Sequence, residues 1–133
     1  MGGTGLGPLV FISKSRIKDG KLEGLRRFLQ EGAEGLQQEK PGTVAFHAYL
    51  SDESAELEIV HVFPDADAMD RHMEGVVERS RQADEFIEST SMEIYGMPND
   101  NTLQMFKSIA ASGLSVRFRQ HYVGGYLRPS PGA

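Results

Sequence analysis

The sequence has 133 residues, of which 39% are hydrophobic and 25% charged, and its formal net charge is −5. This size and composition are typical of one globular domain. Cysteine is absent, which excludes disulfide bonds, thiol catalysis and cysteine metal sites. The acidic balance disfavours nucleic acid as a partner. No apolar run approaches the length of a membrane span and the start is unlike a signal peptide, so we expect a cytoplasmic protein without a membrane partner.

The first third of the chain predicts a strand followed by a helix. Residues 1–8 contain four glycines and a proline, and we expect them to be a flexible lead-in. A strand is predicted over residues 9–17. Asp19 is the predicted N-cap of a helix over residues 20–38, where apolar residues recur at helical spacing, and the Lys-Pro-Gly sequence at 40–42 ends it.

The central stretch, residues 41–75, predicts a β-hairpin and the start of a second helix. Apolar residues alternate with other residues over 43–50 and again over 56–63. The polar residues 51–54 form the predicted turn, and a connection this short implies antiparallel strands.

The register of this hairpin determines which face its histidines occupy. If Leu50 pairs with Ala55, the large apolar residues of both strands share one face of the sheet. His61 then lies on that apolar face, whereas His47 lies opposite Glu58 on the other face.

The second half of the chain predicts a broken helix, two strands and a short helix between them. Apolar residues follow helical spacing over residues 66–87, and Gly75 marks the natural break. We predict a strand over 90–97, a helix over 102–111 and a strand over 114–122.

The predicted order is β-α-β-β-α-β, which is typical of an α+β, ferredoxin-like fold with helices on one face of an antiparallel sheet. Residues 9–97 form this domain, and residues 98–133 extend it with a helix and a strand. The opposite face of the sheet is too apolar to remain in water, and a second copy of the chain is the simplest cover. That face is predicted to carry Thr43, Ala45, Val60 and Val62.

Three short motifs are similar, in order and spacing, to those of a known family. They are IKDGK at 17–21 before the first helix, PGTVAF at 41–46 entering the second strand, and FPDADAMDRHM at 63–73. On these motifs, the sequence resembles the antibiotic-biosynthesis-monooxygenase-like family of dimeric α/β barrels over roughly residues 9–97.

The resemblance implies a homodimer whose two sheets pack face to face, with a pocket between sheet and helices in each subunit. Known relatives include cofactor-free oxygenases of polyphenols and quinols, and haem-degrading enzymes. Two departures matter: His61 stands where the family usually has a glutamate two residues before its aromatic Phe63, and His72 stands where the haem-degrading branch has tryptophan. Because the chain has no tryptophan, haem degradation is not expected, and we expect no cofactor.

His61 and His72 are the candidate catalytic pair. Both are expected to reach one pocket, and an imidazole that titrates near neutral pH suits proton abstraction from a phenol. Each histidine taken alone is also explained as a core or boundary residue. The expected substrate contacts are Phe46, Phe63, Met69 and Met73. Methionines at helical spacing, however, more often fill a core.

No metal site is predicted, because His47, Glu56 and Glu58 lack the spacing of metal ligands. Two hypotheses therefore remain open. The first is a cofactor-independent monooxygenase of a small aromatic, quinol- or polyphenol-like metabolite. The second is a non-catalytic dimeric barrel that binds a small hydrophobic ligand or serves as an assembly module.

Overall fold

The computed structural model describes residues 7–51, 53 and 55–128. Most of the predicted lead-in and residues 52 and 54 of the predicted turn lie outside these ranges. Within them the chain forms nine elements, which are β1 (Leu9–Ile17), α1 (Leu22–Glu39), β2 (Ala45–Leu50), β3 (Glu56–Phe63), α2 (Ala66–Met73), α3 (Val76–Ala83), β4 (Ile87–Tyr95), α4 (Asp100–Ala111) and β5 (Ser115–Arg119).

The strands form a single sheet in the order β2-β3-β1-β4-β5. β1 pairs antiparallel with both β3 and β4, and β2 pairs antiparallel with β3. These four strands with α1 and the α2–α3 pair are the ferredoxin-like arrangement, so the predicted fold class is confirmed. β5 joins the outer edge parallel to β4, because α4 carries the chain back along the sheet before β5 begins.

The first helix begins two residues later than predicted, and Asp19 does not cap it. Gly20 has φ +75 and the amide of Lys21 donates to the carbonyl of Lys18, which makes a turn ahead of the helix. Helical geometry therefore starts at Leu22, with Lys21 in the cap position and no side-chain capping bond.

The hairpin register differs from the predicted one by two residues. Leu50 lies opposite Leu57, not opposite Ala55. The amide of Ser51 donates to the carbonyl of Glu56, which continues this register by one pair, and the hydroxyl of Ser51 accepts hydrogen bonds from the amides of Ala55 and Glu56 at the start of the loop. Because side chains alternate with period 2, a shift of two residues keeps every side chain on its predicted face.

The second helical region is broken where the sequence predicted, at Gly75, whose φ is +84. Its predicted end at residue 87 is wrong. The amide of Phe86 donates to the carbonyl of Ala83 in a turn, and Ile87 then pairs with Ile17 as the first residue of β4. The fourth strand accordingly begins three residues earlier than predicted. β5 ends at Arg119, ahead of the predicted residue 122.

The core lies on the helix-covered face of the sheet in two clusters. One, which includes Phe11, Phe63, Met69 and Phe106, is covered by α2 and α4. The other is centred on Leu25 of α1. No helix in the described ranges is long and apolar enough to cross a membrane.

Candidate active site

A cavity of about 490 Å³ lies between the helices and the sheet. Its floor comes from β1 to β4, and its roof and walls come from α1, α2 and α3. Apolar and aromatic side chains form about half of the lining, and polar and charged side chains form most of the rest. The polar groups that matter below are His61, His72, Arg79 and three serines.

Four of the six predicted site residues line this cavity. They are His61, His72, Phe46 and Met73. The other two, Phe63 and Met69, are fully buried in the core and do not line it. Phe63 lies behind the site, with its ring centroid 5.2 Å from that of His72.

The two histidines meet at one end of the cavity. His61 projects from β3 and His72 from the last turn of α2, and their ring centroids are 5.3 Å apart at an interplanar angle of 79°. Phe11 stacks on His61 at 4.7 Å, and Phe46 meets its ring edge-on at 5.1 Å. The imidazoles are therefore held between aromatic rings, which exclude water from this end.

The hydrogen bonding of His61 defines its tautomer. Its Nδ1 lies 2.9 Å from the carbonyl oxygen of Phe11, and because a carbonyl only accepts, Nδ1 carries the hydrogen. Burial lowers the pKa of His61 to about 4, the bond to Phe11 opposes this shift, and the charge of Arg79 adds to it. His61 is thus neutral near pH 7, with Nε2 as its unprotonated nitrogen.

His72 is neutral for similar reasons. Its pKa is lowered to about 3, chiefly by burial, and also by repulsion from a proton on His61 and from the charges of Arg79 and Lys40. Its Nδ1 lies 2.7 Å from the hydroxyl oxygen of Thr43. Thr43 was predicted on the opposite face of the sheet, and this prediction is wrong, because β2 begins only at Ala45 and the strand alternation does not extend back to it.

Arg79 of α3 is the cation of the site, and the sequence analysis missed it. Its Nη2 donates to the carbonyl of His72 at 2.5 Å and its Nη1 to the carbonyl of Glu74 at 2.9 Å. A guanidinium at these positions satisfies the carbonyl end of α2 and complements its dipole. Burial lowers the pKa of Arg79, and the charge of Glu39 opposes the shift.

A sequence signal for Arg79 existed in the helical spacing. Val76, Arg79 and Ala83 recur at intervals of three and four, so they share one face of α3, and all three line the cavity. A charged residue on an otherwise apolar stripe is the exception that points to a site. Its contact with the end of α2 depends on the break at Gly75 and could not be derived from spacing.

The arrangement is suited to moving one proton and holding one negative charge. The pKa values of about 4 and about 3 correct the expectation of titration near neutral pH, so these neutral imidazoles are weaker bases than free histidine, and a neighbouring guanidinium stabilises the anion that remains. The charge of Arg79 that lowers the histidine pKa values also lowers the pKa of a phenol bound beside it. Proton transfer between them is consequently less unfavourable than the histidine pKa values alone indicate.

Solved structures share this fold, including proteins described as antibiotic biosynthesis monooxygenases. MupZ from Pseudomonas fluorescens superposes with a TM-score of 0.71 over 93% of this chain and 97% of its own, at 16% identity. A candidate antibiotic biosynthesis monooxygenase from Bacteroides thetaiotaomicron gives a TM-score of 0.55 over 66% of this chain and 85% of its own, at 19% identity. Another from Chloroflexus aurantiacus gives 0.53 over 65% and 89%, at 16% identity.

No protein-family model matches the sequence, and no curated protein does. The superposition on solved structures nevertheless shows that the chain has the fold of the antibiotic biosynthesis monooxygenase-like proteins, as its resemblance predicted. At sequence identities this low, the structural likeness establishes the fold alone, and the reaction has to be argued from the residues of the site.

Proposed function

We propose that the protein is a cofactor-independent monooxygenase of a small aromatic, quinol- or polyphenol-like compound. The observation that carries this proposal is the pair His61 and His72, both neutral and set beside Arg79 at one end of an aromatic-lined cavity. The descriptions of two structural neighbours as monooxygenases support the reaction class.

In the proposed reaction, Nε2 of His61 accepts the proton of a phenolic or enolic hydroxyl group. Arg79 stabilises the resulting anion, which is electron-rich enough to transfer one electron to dioxygen. The two radicals combine with formation of a C–O bond, and His61 returns its proton to the terminal oxygen of the resulting peroxide, which gives a hydroperoxide. For a ring CH₂ group the balance is CH₂ + O₂ → C=O + H₂O, so dioxygen supplies both the inserted atom and the oxygen of the water. His72 then accepts the remaining C–H proton as the C=O bond forms and the O–O bond breaks, and it passes that proton to the departing hydroxide, which leaves as water.

The test is oxygen uptake by the purified protein with hydroquinones, catechols and anthrone-type compounds. We expect uptake with at least one of them, and a loss of 100-fold or more in His61→Phe and His72→Phe, the scale of a general acid or base. His121→Phe is the matched control, because His121 is exposed and does not line the cavity. Uptake that is absent throughout the panel, or equal in all four proteins, overturns the proposal.

A non-catalytic ligand-binding protein is the second candidate. It is favoured by the protein partners of both imidazoles, since Phe11 and Thr43 already occupy one nitrogen of each ring. Binding of the same aromatic compounds without oxygen uptake supports this candidate over the first.

We also propose that two copies of the chain pack through the open face of the sheet. Within the described residues no helix covers that face, where Val10, Ile12, Val60 and Val62 are only half-buried. Lys14 lies in the middle of the face, 3.7 Å from each of Glu58 and Glu93. Lys14 compensates one of these two carboxylate charges, and the apolar part of the face is suited to an interface between identical subunits.

A further inference from the structure

We propose that Ser13, Ser15 and Ser89 form a polar subsite at the end of the cavity away from the histidines. This subsite binds a hydroxyl or carbonyl group on the far end of an elongated, flat substrate. The inference rests on the proposed function for the identity of the reacting end only. The serine subsite itself stands on the sheet register and the cavity lining.

The register places the serines far from the histidine pair. His61 lies opposite Phe11 of β1, whereas Ser15 lies four residues further along β1, opposite Ser89 of β4. At about 3.3 Å per residue, the two levels are about 13 Å apart along the sheet. Ser13 lies between them, and all three serines line the cavity.

A β-bulge aims Ser89 into the cavity. The pairing of β1 with β4 shifts between Lys14 and Ser15, so that Thr90 is left without a partner. Regular alternation from Met92 would turn Ser89 away from the helices, but the extra residue restores it to the cavity side. The hydroxyl of Thr90 donates to the carbonyl of Lys14 at 3.1 Å and holds the bulge.

The helix-facing positions of β1 show how unusual the serines are. Phe11 and Ile17 are buried core residues, yet the two positions between them carry Ser13 and Ser15. Ser15 is 5% exposed. Leucine or valine there would fill part of the cavity, so the serines both preserve its volume and supply polar groups.

The hydroxyls are available to a ligand. In the part of the chain that the structure describes, the side-chain hydrogen bonds do not involve these three hydroxyls. Among the same residues, every fully buried side-chain nitrogen or oxygen atom has a hydrogen-bond partner. The hydroxyls of Ser13 and Ser15 are therefore accessible within the cavity, and Ser89, which also lines it, is an exposed residue. A polar group in a largely apolar site favours ligands that hydrogen-bond to it over ligands that leave it unpaired.

The cavity between the two ends determines the shape of the ligand. Ile59 and Met92 of the sheet and Phe28 and Leu29 of α1 line it. An apolar body therefore fills the middle, while an oxygen function occupies each end. A single-ring quinol is too short to reach both ends, whereas a skeleton of three fused rings spans most of the separation. We infer that the substrate is a polycyclic aromatic compound with oxygen at both ends of its long axis.

Calorimetric titration with 2,6-dihydroxyanthraquinone and 2-hydroxyanthraquinone tests the subsite. Both are already oxidised, so binding is measured without turnover. The first carries a hydroxyl at each end and the second at only one end. We expect the protein to bind the dihydroxy compound about tenfold more tightly, as one or two additional hydrogen bonds predict.

The double variant Ser15→Ala/Ser89→Ala is expected to lose this preference, and Ser91→Ala is the control. Ser91 pairs with Lys14, which lies on the open face of the sheet, so its preference should equal that of the unmodified protein. If the double variant does not fold by circular dichroism, Ser89→Ala alone, at an exposed position, replaces it with a partial loss expected.

Equal affinity for the two compounds, no binding of either, or a preference that survives in the serine variants overturns the subsite. Failure of the oxygenase proposal is distinguishable from this result. If the dihydroxy compound binds more tightly because of the serines but no oxygen is consumed, the oxygenase proposal is overturned and the serine subsite is supported. If oxygen is consumed but the dihydroxy compound does not bind more tightly, the serine subsite is overturned and the oxygenase proposal is supported.

Discussion

The imidazole of His72 meets that of His61 edge to face, with 5.3 Å between the ring centroids and Arg79 close to both. A proton on either ring disfavours a proton on the other, and the low dielectric of the buried site strengthens this repulsion. The pair is consequently a neutral unit at physiological pH, and its protonation is linked to the stability of the fold.

The free energy of unfolding should fall as the pH falls below about 6.5. The pKa values of His61 and His72 are about 4 and about 3 in the folded protein, against 6.5 when unfolded, so the unfolded chain binds protons first. The stabilisation is complete above pH 6.5 and is lost towards pH 4. For His61 alone it amounts to about 3 kcal/mol.

Urea unfolding midpoints between pH 7.5 and 4 measure this loss. His61→Phe should show a shallower decline than the unmodified protein. His121→Phe should follow the unmodified protein, because His121 is exposed. Identical slopes for the three proteins would mean that the buried histidine is not the linked group.

Replacement of Arg79 by Met should raise the pKa of both His61 and His72. The guanidinium charge that lowers these pKa values is removed, and so are its hydrogen bonds to the carbonyls of His72 and Glu74. We expect a loss of about 1–3 kcal/mol of stability from the unpaired carbonyls. Histidine proton resonances followed against pH measure the pKa values, and thermal or urea unfolding measures the stability.

The control for this variant is Arg81→Met. Arg81 lies on the same helix but is exposed and pairs with Glu78 at the surface. Its loss should change neither the histidine titrations nor, beyond about 0.5 kcal/mol, the stability. Titrations that Arg79→Met leaves unmoved would contradict the electrostatic role of Arg79.

Replacement of Gly32 by Leu should block ligand binding while leaving the protein folded. Gly32 is in α1 and lines the cavity, and a Cβ atom built there meets nothing within 4 Å. A larger side chain should thus occupy ligand space without a clash. The helix itself should gain up to about 1 kcal/mol because a glycine is removed from its interior.

Gly35→Leu is the matched control, since Gly35 is in the same helix, has the same empty surroundings and does not line the cavity. Calorimetric titration with 2-hydroxyanthraquinone should show binding to Gly35→Leu and at least tenfold weaker binding to Gly32→Leu. Equal affinities would place the ligand elsewhere.

Replacement of Val60 by Glu should convert a dimer into a monomer. Val60 lies between Ile12 and His47 on the open face of the sheet, where a charge would be buried by a second copy. Val77→Glu is the control, because Val77 is 69% exposed on α3. Light scattering should give twice the chain mass for the unmodified protein and the control; a monomeric unmodified protein contradicts the proposed interface.

Local patterns in the sequence were sufficient for the strands and for the face that each histidine occupies. The alternation around His61 survives an error of two residues in the register, because parity alone determines the face. The register itself depends on where the hairpin loop closes, here with Ser51 bonded to Ala55 and Glu56, and spacing does not encode these contacts. Ile87 was predicted in the second helix because the helical spacing of apolar residues continues past Ala83, where the structure has a turn.

The parts of the site that sequence reasoning missed depend on contacts between distant elements. Thr43 reaches His72 from a loop, and Arg79 reaches the end of α2 because Gly75 turns the chain. The cavity floor was missed for a related reason, since the bulge at Thr90 changes which residues of β4 face the helices. A regular periodicity cannot reveal the position of an added residue.

The break at Gly75 divides one wall of the cavity into two parts that are anchored differently. The helix on one side of it, α2, contributes five buried residues, whereas α3 contributes none. Segments with little buried apolar surface open at the lowest free energy. α3 is therefore the less firmly packed part of the wall, while α2 keeps His72 in place. Because Arg79 belongs to α3, the cation of the site depends on its two hydrogen bonds to the end of α2 to stay beside the histidines.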